Sequence, residues 1–100
     1  MGKWADYLIS GVRYDQDHRC ISELKVHEYK DDKVSVASIW TRSQVVRSIN
    51  CDHHFITIYK KEGLWTKGED VRVIEIEGKK YLRTDSNKIK KDNLGELPEF

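Results

Sequence analysis

The sequence predicts an α+β domain that is mostly antiparallel β, with five to six strands in a bent sheet or a small, partly open barrel. One short helix near residues 42–50 completes the prediction. Three observations lead to it: apolar runs that alternate with period two, a single helix-start motif, and short polar turns between the runs. The length of 100 residues allows one small domain spanning 1–100, and the 10% aromatic content argues against disorder.

The first two strands are predicted at residues 5–14 and 20–29, which are rich in aromatic and β-branched types. In the second run Leu24 and Val26 share one face, while the polar and charged residues between them take the other. Such alternation is typical of a half-buried strand, and the polar stretch between the runs favours an antiparallel hairpin. Gly11 has no side chain to pack, so we expect a bulge or a bend in the first strand.

A short third strand at residues 34–39 precedes the predicted helix. Thr41 followed by Gln44 fits a capping box, in which each side chain hydrogen-bonds the backbone N–H of the other residue. The apolar stripe of this helix consists of Val45, Val46 and Ile49. Asn50 is a suitable terminator, so the helix is short and needs a sheet to pack against.

Residues 54–59 form the strongest strand by propensity, and both of their faces are largely apolar. A strand that is apolar on both faces is expected at the centre of a sheet, here with the helix over one side. The following residues, 60–69, are charged and contain two glycines. We interpret them as a loop.

The last two strands are predicted at residues 70–76 and 79–84, around a Glu-Gly pair that is typical of a tight hairpin turn. Residues 85–100 are polar with scattered apolar side chains, which indicates an irregular C-terminal tail packed on the domain. Two interpretations of its end remain open. Phe100 either anchors the tail in a hydrophobic slot or belongs to a short linear motif offered to a partner.

Charge and composition exclude several function classes. Eighteen Lys and Arg residues oppose seventeen Asp and Glu, and the net charge of +1 gives no general support to nucleic-acid or membrane binding. No apolar run approaches the roughly 18 residues of a membrane helix, so we expect a cytoplasmic protein without membrane association. Cys20 and Cys51 are expected to be reduced thiols. Whether they meet, and whether the chain is a monomer or a homodimer, stays open.

The sequence contains no nucleophile elbow, phosphate-binding glycine loop or nucleotide fingerprint, so we predict no enzymatic activity and no cofactor. The alternative is a small enzyme or accessory factor that uses Cys51, His53 and His54. Metal-ligand residue types also occur in two groups without the paired spacing of a zinc site, and we predict no metal. These groups are Asp15, Asp17, His18 and Cys20, then Cys51, Asp52, His53 and His54.

The second half of the chain interleaves cations with aromatic residues, a composition that suits base stacking beside phosphate contacts. The leading hypothesis is therefore a non-catalytic binding module for an unknown protein or nucleic acid, using the strand surface around Trp65 and Tyr81. The candidate residues are Lys60, Lys61, Trp65, Lys67, Arg72, Lys80, Tyr81 and Arg83. Intervening acids favour the alternative of a solvated strand face, with Trp65 folded over the core.

Several stretches together resemble a family of small bacterial proteins of about this length, catalogued only as a domain of unknown function. The stretches are DYLIS at 6–10, VRY at 12–14, KVH at 25–27, WTR at 40–42, TIY at 57–59, Trp65 with KGEDV at 67–71, KYLRTD at 80–85 and DNLGELPEF at 92–100. The resemblance covers residues 6–100, and its closing stretch is the most specific part. It implies a stand-alone bacterial domain and transfers no catalytic residue.

Overall fold

The computed structural model describes residues 4–16, 20–30, 33–84, 94 and 97–100. Within these residues the chain forms seven strands and one helix, which confirms the α+β class. The elements are β1 (Tyr7–Tyr14), β2 (Ile21–Lys30), β3 (Lys33–Val34), β4 (Ser38–Thr41), α1 (Arg42–Asn50), β5 (Phe55–Lys61), β6 (Leu64–Ile76) and β7 (Lys79–Arg83). The helix has the predicted bounds.

The strands form a single sheet in the order β3-β2-β1-β5-β6-β7, and β4 also pairs with β2. Five of the strand pairs are antiparallel, as predicted, but β1 and β5 run parallel, from Tyr7 opposite Phe55 to Ile9 opposite Thr57. Short turns can join only antiparallel neighbours, whereas a parallel strand requires a crossover. Helix α1 is that crossover, since it carries the chain from β4 on one side of β1 to β5 on the other.

Two strand predictions are corrected by the structure. The single strand expected at 34–39 is divided into β3 and β4. The loop expected at 60–69 is wrong: β5 continues to Lys61 and β6 begins at Leu64. The turn between them contains only Glu62 and Gly63, both left-handed with φ of 55° and 80°. Two successive residues with positive φ define the type I′ turn, whose twist matches that of paired strands.

Three register shifts interrupt the strand pairing, and one of them, between Arg13 and Tyr14, lies at the end of β1. The register between β1 and β2 shifts between Ile9 and Gly11, as expected from the glycine in this strand. The register between β5 and β6 shifts between Ile56 and Ile58, where the β6 side contains one extra residue. A bulge increases the local twist of a strand. These shifts therefore increase the local twist of the sheet.

Each face of the central strands carries its own apolar cluster. The face under helix α1 holds the larger one, which includes Leu24, Val26, Val45 and Phe55. The opposite face holds Leu8, Ile56 and Ile58 with partly buried aromatic residues around them. This confirms that β5 is a central strand with the helix on one side. The candidate site described below lies over this second cluster.

The C-terminal residues that the structure describes lie against β1. Val12 donates its N–H to the carbonyl of Pro98, and its own carbonyl accepts from the N–H of Phe100, each at 3.0 Å. Leu94 is buried in the larger cluster. Residues 85–93 and 95–96 lie outside the described residues, so the assignment of one domain with a packed tail over 85–100 stays a prediction.

The predicted capping box is present at the start of α1. The N–H of Gln44 donates to Oγ1 of Thr41 at 3.2 Å, and the N–H of Thr41 donates to Oε1 of Gln44 at 2.8 Å. Thr41→Ala removes the first of these bonds. We expect it to lower the free energy of unfolding by about 1 kcal/mol, measured by urea denaturation.

The matched control for this prediction is Ser43→Ala, an exposed position in the same helical turn. Alanine has a higher helix propensity than serine, so we expect this variant to be as stable as the natural protein or slightly more so. Equal unfolding midpoints for the two variants would show that the capping box contributes nothing to stability.

Candidate binding site around Trp65

The predicted binding residues fall into two groups at opposite ends of β6. Trp65 lies opposite Lys60 on β5, whereas Ile74 lies opposite Tyr81 on β7. Ile74 lies nine positions after Trp65 along the extended strand, a span of about 30 Å at roughly 3.3 Å per residue. Trp65 and Tyr81 therefore do not belong to one continuous surface.

The group near β7 contributes little aromatic surface. Tyr81 is only 5% exposed and Arg83 only 2%, so both side chains are part of the interior. Arg72 and Lys80 are exposed. Tyr81 is a candidate binding residue in the sequence, but its ring is buried. Strand alternation shows which residues share a face but not whether that face is covered.

The group near the β5–β6 turn brings a cation and a ring together. Lys60 and Trp65 are direct cross-strand partners, and Nζ of Lys60 lies 5.0 Å from the centroid of the Trp65 ring. This distance is within the range of a cation–π interaction. Trp65 is half-buried, and its ring packs against the second apolar cluster. One part of the ring is therefore anchored while the rest faces solvent.

The ring of His27 packs against the ring of Trp65, although His27 is not among the candidate residues predicted from the sequence. The rings of His27 and Trp65 meet edge to face with centroids 5.4 Å apart. Nδ1 of His27 lies 2.7 Å from the carbonyl oxygen of Ser35, which can only accept, so Nδ1 carries the proton. In the neutral ring Nε2 then accepts from the hydroxyl of Ser10, also at 2.7 Å. The sequence placed His27 among the polar alternates of β2 and in the KVH stretch of the family resemblance, but neither signal marks it as a site residue.

The C-terminal residues 98–100 form the side of the site that faces Trp65. The ring of Phe100 lies beneath two cations: Cζ of Arg13 is 4.8 Å and Nζ of Lys25 is 5.1 Å from its centroid. Nε of Arg13 also donates to the carbonyl of Phe100 at 3.0 Å, while Nη1 pairs with Glu23 at 3.1 Å. Phe100 thus anchors the C-terminal residues to the domain, which is the first of the two interpretations from the sequence. Its ring lies under two cations, however, and not in a purely hydrophobic slot.

A cavity of about 440 Å³ lies between these two walls, and we call it the Trp65 groove. This volume is within the usual range for ligand pockets. Its lining consists of Ser10, Gly11, Lys25, Tyr59, Lys60, Trp65, Pro98, Glu99 and Phe100. Among the described residues two lysines, three aromatic rings and one acid, Glu99, therefore face one space.

Two further predicted residues lie away from this groove. Lys61 is the next residue after Lys60 on β5, but it does not line the groove, and strand alternation directs its side chain away from that of Lys60. Lys67 lines a separate cavity of about 440 Å³ together with Thr57, Glu69 and Leu94. Of the eight candidates, the fold places Lys60 and Trp65 in the groove and adds Lys25 and Phe100 to them.

The alternative site at Cys51, His53 and His54 is not assembled as a nucleophile with a base. Nδ1 of His53 lies 3.0 Å from Oγ of Ser48, and Nε2 of His54 lies 2.8 Å from Oδ1 of Asp70. Within the described part of the chain no hydrogen bond joins Cys51 to either ring. Cys51 is exposed and Cys20 is partly buried, and both are free thiols.

The structure does not place all residues of the possible metal groups, since Asp17 and His18 lie outside the described residues. Among the residues that it does describe, no three His, Cys, Asp or Glu side chains cluster in a way that could hold a metal ion. In the same residues no helix is long and apolar enough to cross a membrane.

The family model described as "Protein of unknown function (DUF3892)" matches residues 9–98. The match spans most of the chain, so this protein belongs to that family, a class of domain without an assigned function. The resemblance seen in the sequence is thereby confirmed at the level of a small family of unknown function. No curated protein and no solved structure matches the chain significantly.

Proposed function

We propose that this domain is a non-catalytic binding module that holds single-stranded nucleic acid in the Trp65 groove. The observation that carries the proposal is the arrangement of two rings, Trp65 and Phe100, around one cavity, each with a lysine Nζ about 5 Å from its centroid. The free thiols of Cys20 and Cys51 fit the cytoplasmic location that we propose for it.

The rings supply the part of the ligand contact that does not depend on base identity. Every base has a flat π-face, and stacking on an aromatic side chain contributes about 1–3 kcal/mol per base. The indole of Trp65 is held at its edge by His27, so little side-chain entropy is lost when a base stacks on it. An unpaired strand is required because the bases of a duplex are already stacked on each other.

The lysines supply the phosphate contacts. Lys60 has a flexible stem, so its ammonium group can leave the indole face and meet a phosphate while a base takes its place. Lys25 stands over the facing ring of Phe100. Two such contacts predict a shallow salt dependence, with a slope of log K against log salt of about −1.4 for single strands. A protein with a net charge of +1 fits this modest electrostatic contribution.

The proposal predicts a specific pattern in a titration of isotope-labelled protein with a ten-nucleotide single strand of thymidylate or uridylate at about 50 mM salt. The backbone amides of Lys60, Trp65 and Phe100 should shift, and Trp65 fluorescence should be quenched. Trp65→Leu should lower the affinity about tenfold because it keeps apolar packing but removes the stacking surface. Trp65→Phe, which retains a ring, should bind nearly as well as the natural protein.

The matched charge control is a pair of neighbouring substitutions on β5. Lys60→Gln should weaken binding, whereas Lys61→Gln, one residue further and outside the lining of the groove, should leave it unchanged. Equal losses in the two variants would reveal non-specific attraction and contradict the site. If neither oligonucleotide shifts these amides, the nucleic-acid proposal is wrong, and a protein becomes the remaining partner class.

A further inference from the structure

A second groove, between helix α1 and the β6–β7 hairpin, has a composition that the Trp65 groove lacks. It has a volume of about 510 Å³, and the described residues that line it include four cationic ones and no acidic one. The four cations are Arg42, Arg47, Lys79 and Lys80. The chain as a whole is nearly neutral, so this is a local concentration of positive charge. We call it the α1–β7 groove.

Local structure brings these cations together from two distant parts of the chain. The capping box sets the start of α1 at Arg42, whose guanidinium donates to the carbonyl of Lys80 and ties the helix to β7. The turn at Glu77 and Gly78 has φ values of 51° and 81°, a type I′ geometry that places Lys79 and Lys80 directly after it. The cationic groups are thus held by regular elements rather than by a loose loop.

Three of the four cations in the groove are not neutralised by an acid among the described residues. Glu75 lies opposite Lys80 in the strand register, and Glu77 lies in the turn, but neither lines the groove. Across the described residues no ion pair joins Arg47, Lys79 or Lys80 to a carboxylate. Lys79 instead lies with its Nζ 5.7 Å from the ring centroid of Tyr81. Positive groups held close together without counter-charges repel one another, and a bound anion relieves that repulsion.

We propose that the α1–β7 groove binds the phosphate groups of a small phosphorylated ligand. The planar guanidinium of Arg47 can donate two parallel hydrogen bonds to phosphate oxygens, and the ammonium group of Lys80 adds a point charge. Ser43 and Asn50 also line the groove and offer a hydroxyl and an amide as neutral donors. The site is independent of the proposed function, because it lies at the opposite end of β6 from Trp65.

Pyrophosphate in chloride buffer is the probe that tests this site. In a titration of isotope-labelled protein we expect shifts in the amides of Arg47, Cys51 and Lys80, while the amide of Trp65 stays in place. Arg47→Gln and Lys80→Gln should each weaken binding about tenfold or more, the factor expected for the loss of one hydrogen bond between charged groups. Both residues are exposed, so these variants should fold normally, which their circular dichroism checks.

The control is Lys67→Gln, an exposed lysine that lines a different cavity, and it should bind pyrophosphate as the natural protein does. Cys51 provides a second readout, since it is exposed and lines the groove. In a Cys20→Ser background, saturating pyrophosphate should slow its alkylation severalfold. Equal losses in all three charge variants would overturn the proposal. The proposal would also be overturned if the oligonucleotide, but not pyrophosphate, shifted the amides of the α1–β7 groove. The groove would then bind the phosphates of a nucleic-acid backbone.

Discussion

Phe55→Ala is expected to lower the free energy of unfolding by about 3–5 kcal/mol, the largest loss among the predictions for this protein. The Phe55 side chain is fully buried and belongs to the main apolar cluster. Its ring stacks on Tyr7 with centroids 5.0 Å apart and meets the edge of Trp40 at 5.9 Å. Removing the ring leaves a cavity in the apolar cluster under helix α1, and both neighbouring aromatic residues lose contacts that the fold cannot easily replace.

The control is Tyr59→Ala on the same strand and the same face. Tyr59 is 45% exposed, so its removal creates no enclosed cavity, and we expect a loss of at most about 1 kcal/mol. Urea denaturation monitored by circular dichroism measures both variants. Small domains have a total stability of about 5–15 kcal/mol, so Phe55→Ala could leave a marginal fold. A loss below about 1 kcal/mol at Phe55 would contradict its place at the centre of the core.

Gly68→Ala is expected to lower the free energy of unfolding by about 2–4 kcal/mol, the second largest effect among the predictions. A Cβ at this position would collide with Oγ1 of Thr57 and would lie 2.7 Å from the carbonyl oxygen of Thr57. The hydroxyl can rotate away, but the carbonyl is part of the central strand β5 and cannot. Rotation would also break the hydrogen bond that the N–H of Glu69 donates to that hydroxyl at 3.0 Å. A glycine is therefore required here by close approach of two backbones.

The matched control is Gly78→Ala in the β6–β7 turn. Gly78 has a φ of 81°, which disfavours alanine, but an added Cβ would meet nothing within 4 Å. We expect a cost of about 1 kcal/mol from the left-handed conformation alone. The midpoint temperature of thermal unfolding should therefore be lower for Gly68→Ala than for Gly78→Ala. The reverse order would mean that backbone conformation, rather than space, decides which glycines this fold needs.

Both proposed sites would allow a nearly neutral protein to bind anionic ligands. The Trp65 groove combines two lysines with aromatic rings, whereas the described lining of the α1–β7 groove contains four cations and no acid. Lys60 and Lys80 were selected in the sequence as parts of a single surface. The length of β6 separates them, so substitutions at Lys60 and at Lys80 should affect different ligands.

Those features that depend on neighbouring residues were correctly predicted from the sequence. The capping box of Thr41 and Gln44, the ends of α1, the bulge near Gly11 and the Glu77–Gly78 turn all have their predicted form. Each depends on residues within about four positions of one another, where propensity and hydrogen bonding act directly. The same Glu-Gly signal at residues 62–63 was missed, because the charged residues around it resemble a loop.

Local pattern therefore determined the class of fold, its helix and the apolar alternation of its strands. Only the tertiary structure decided which faces are covered, that β1 and β5 run parallel, and which distant residues meet. Phe100 reaches Lys25, and Arg42 reaches Lys80, across 75 and 38 positions of the chain. Such contacts depend on the order of strands in the sheet, which is set by the summed burial of all elements and leaves no repeat or spacing in the sequence.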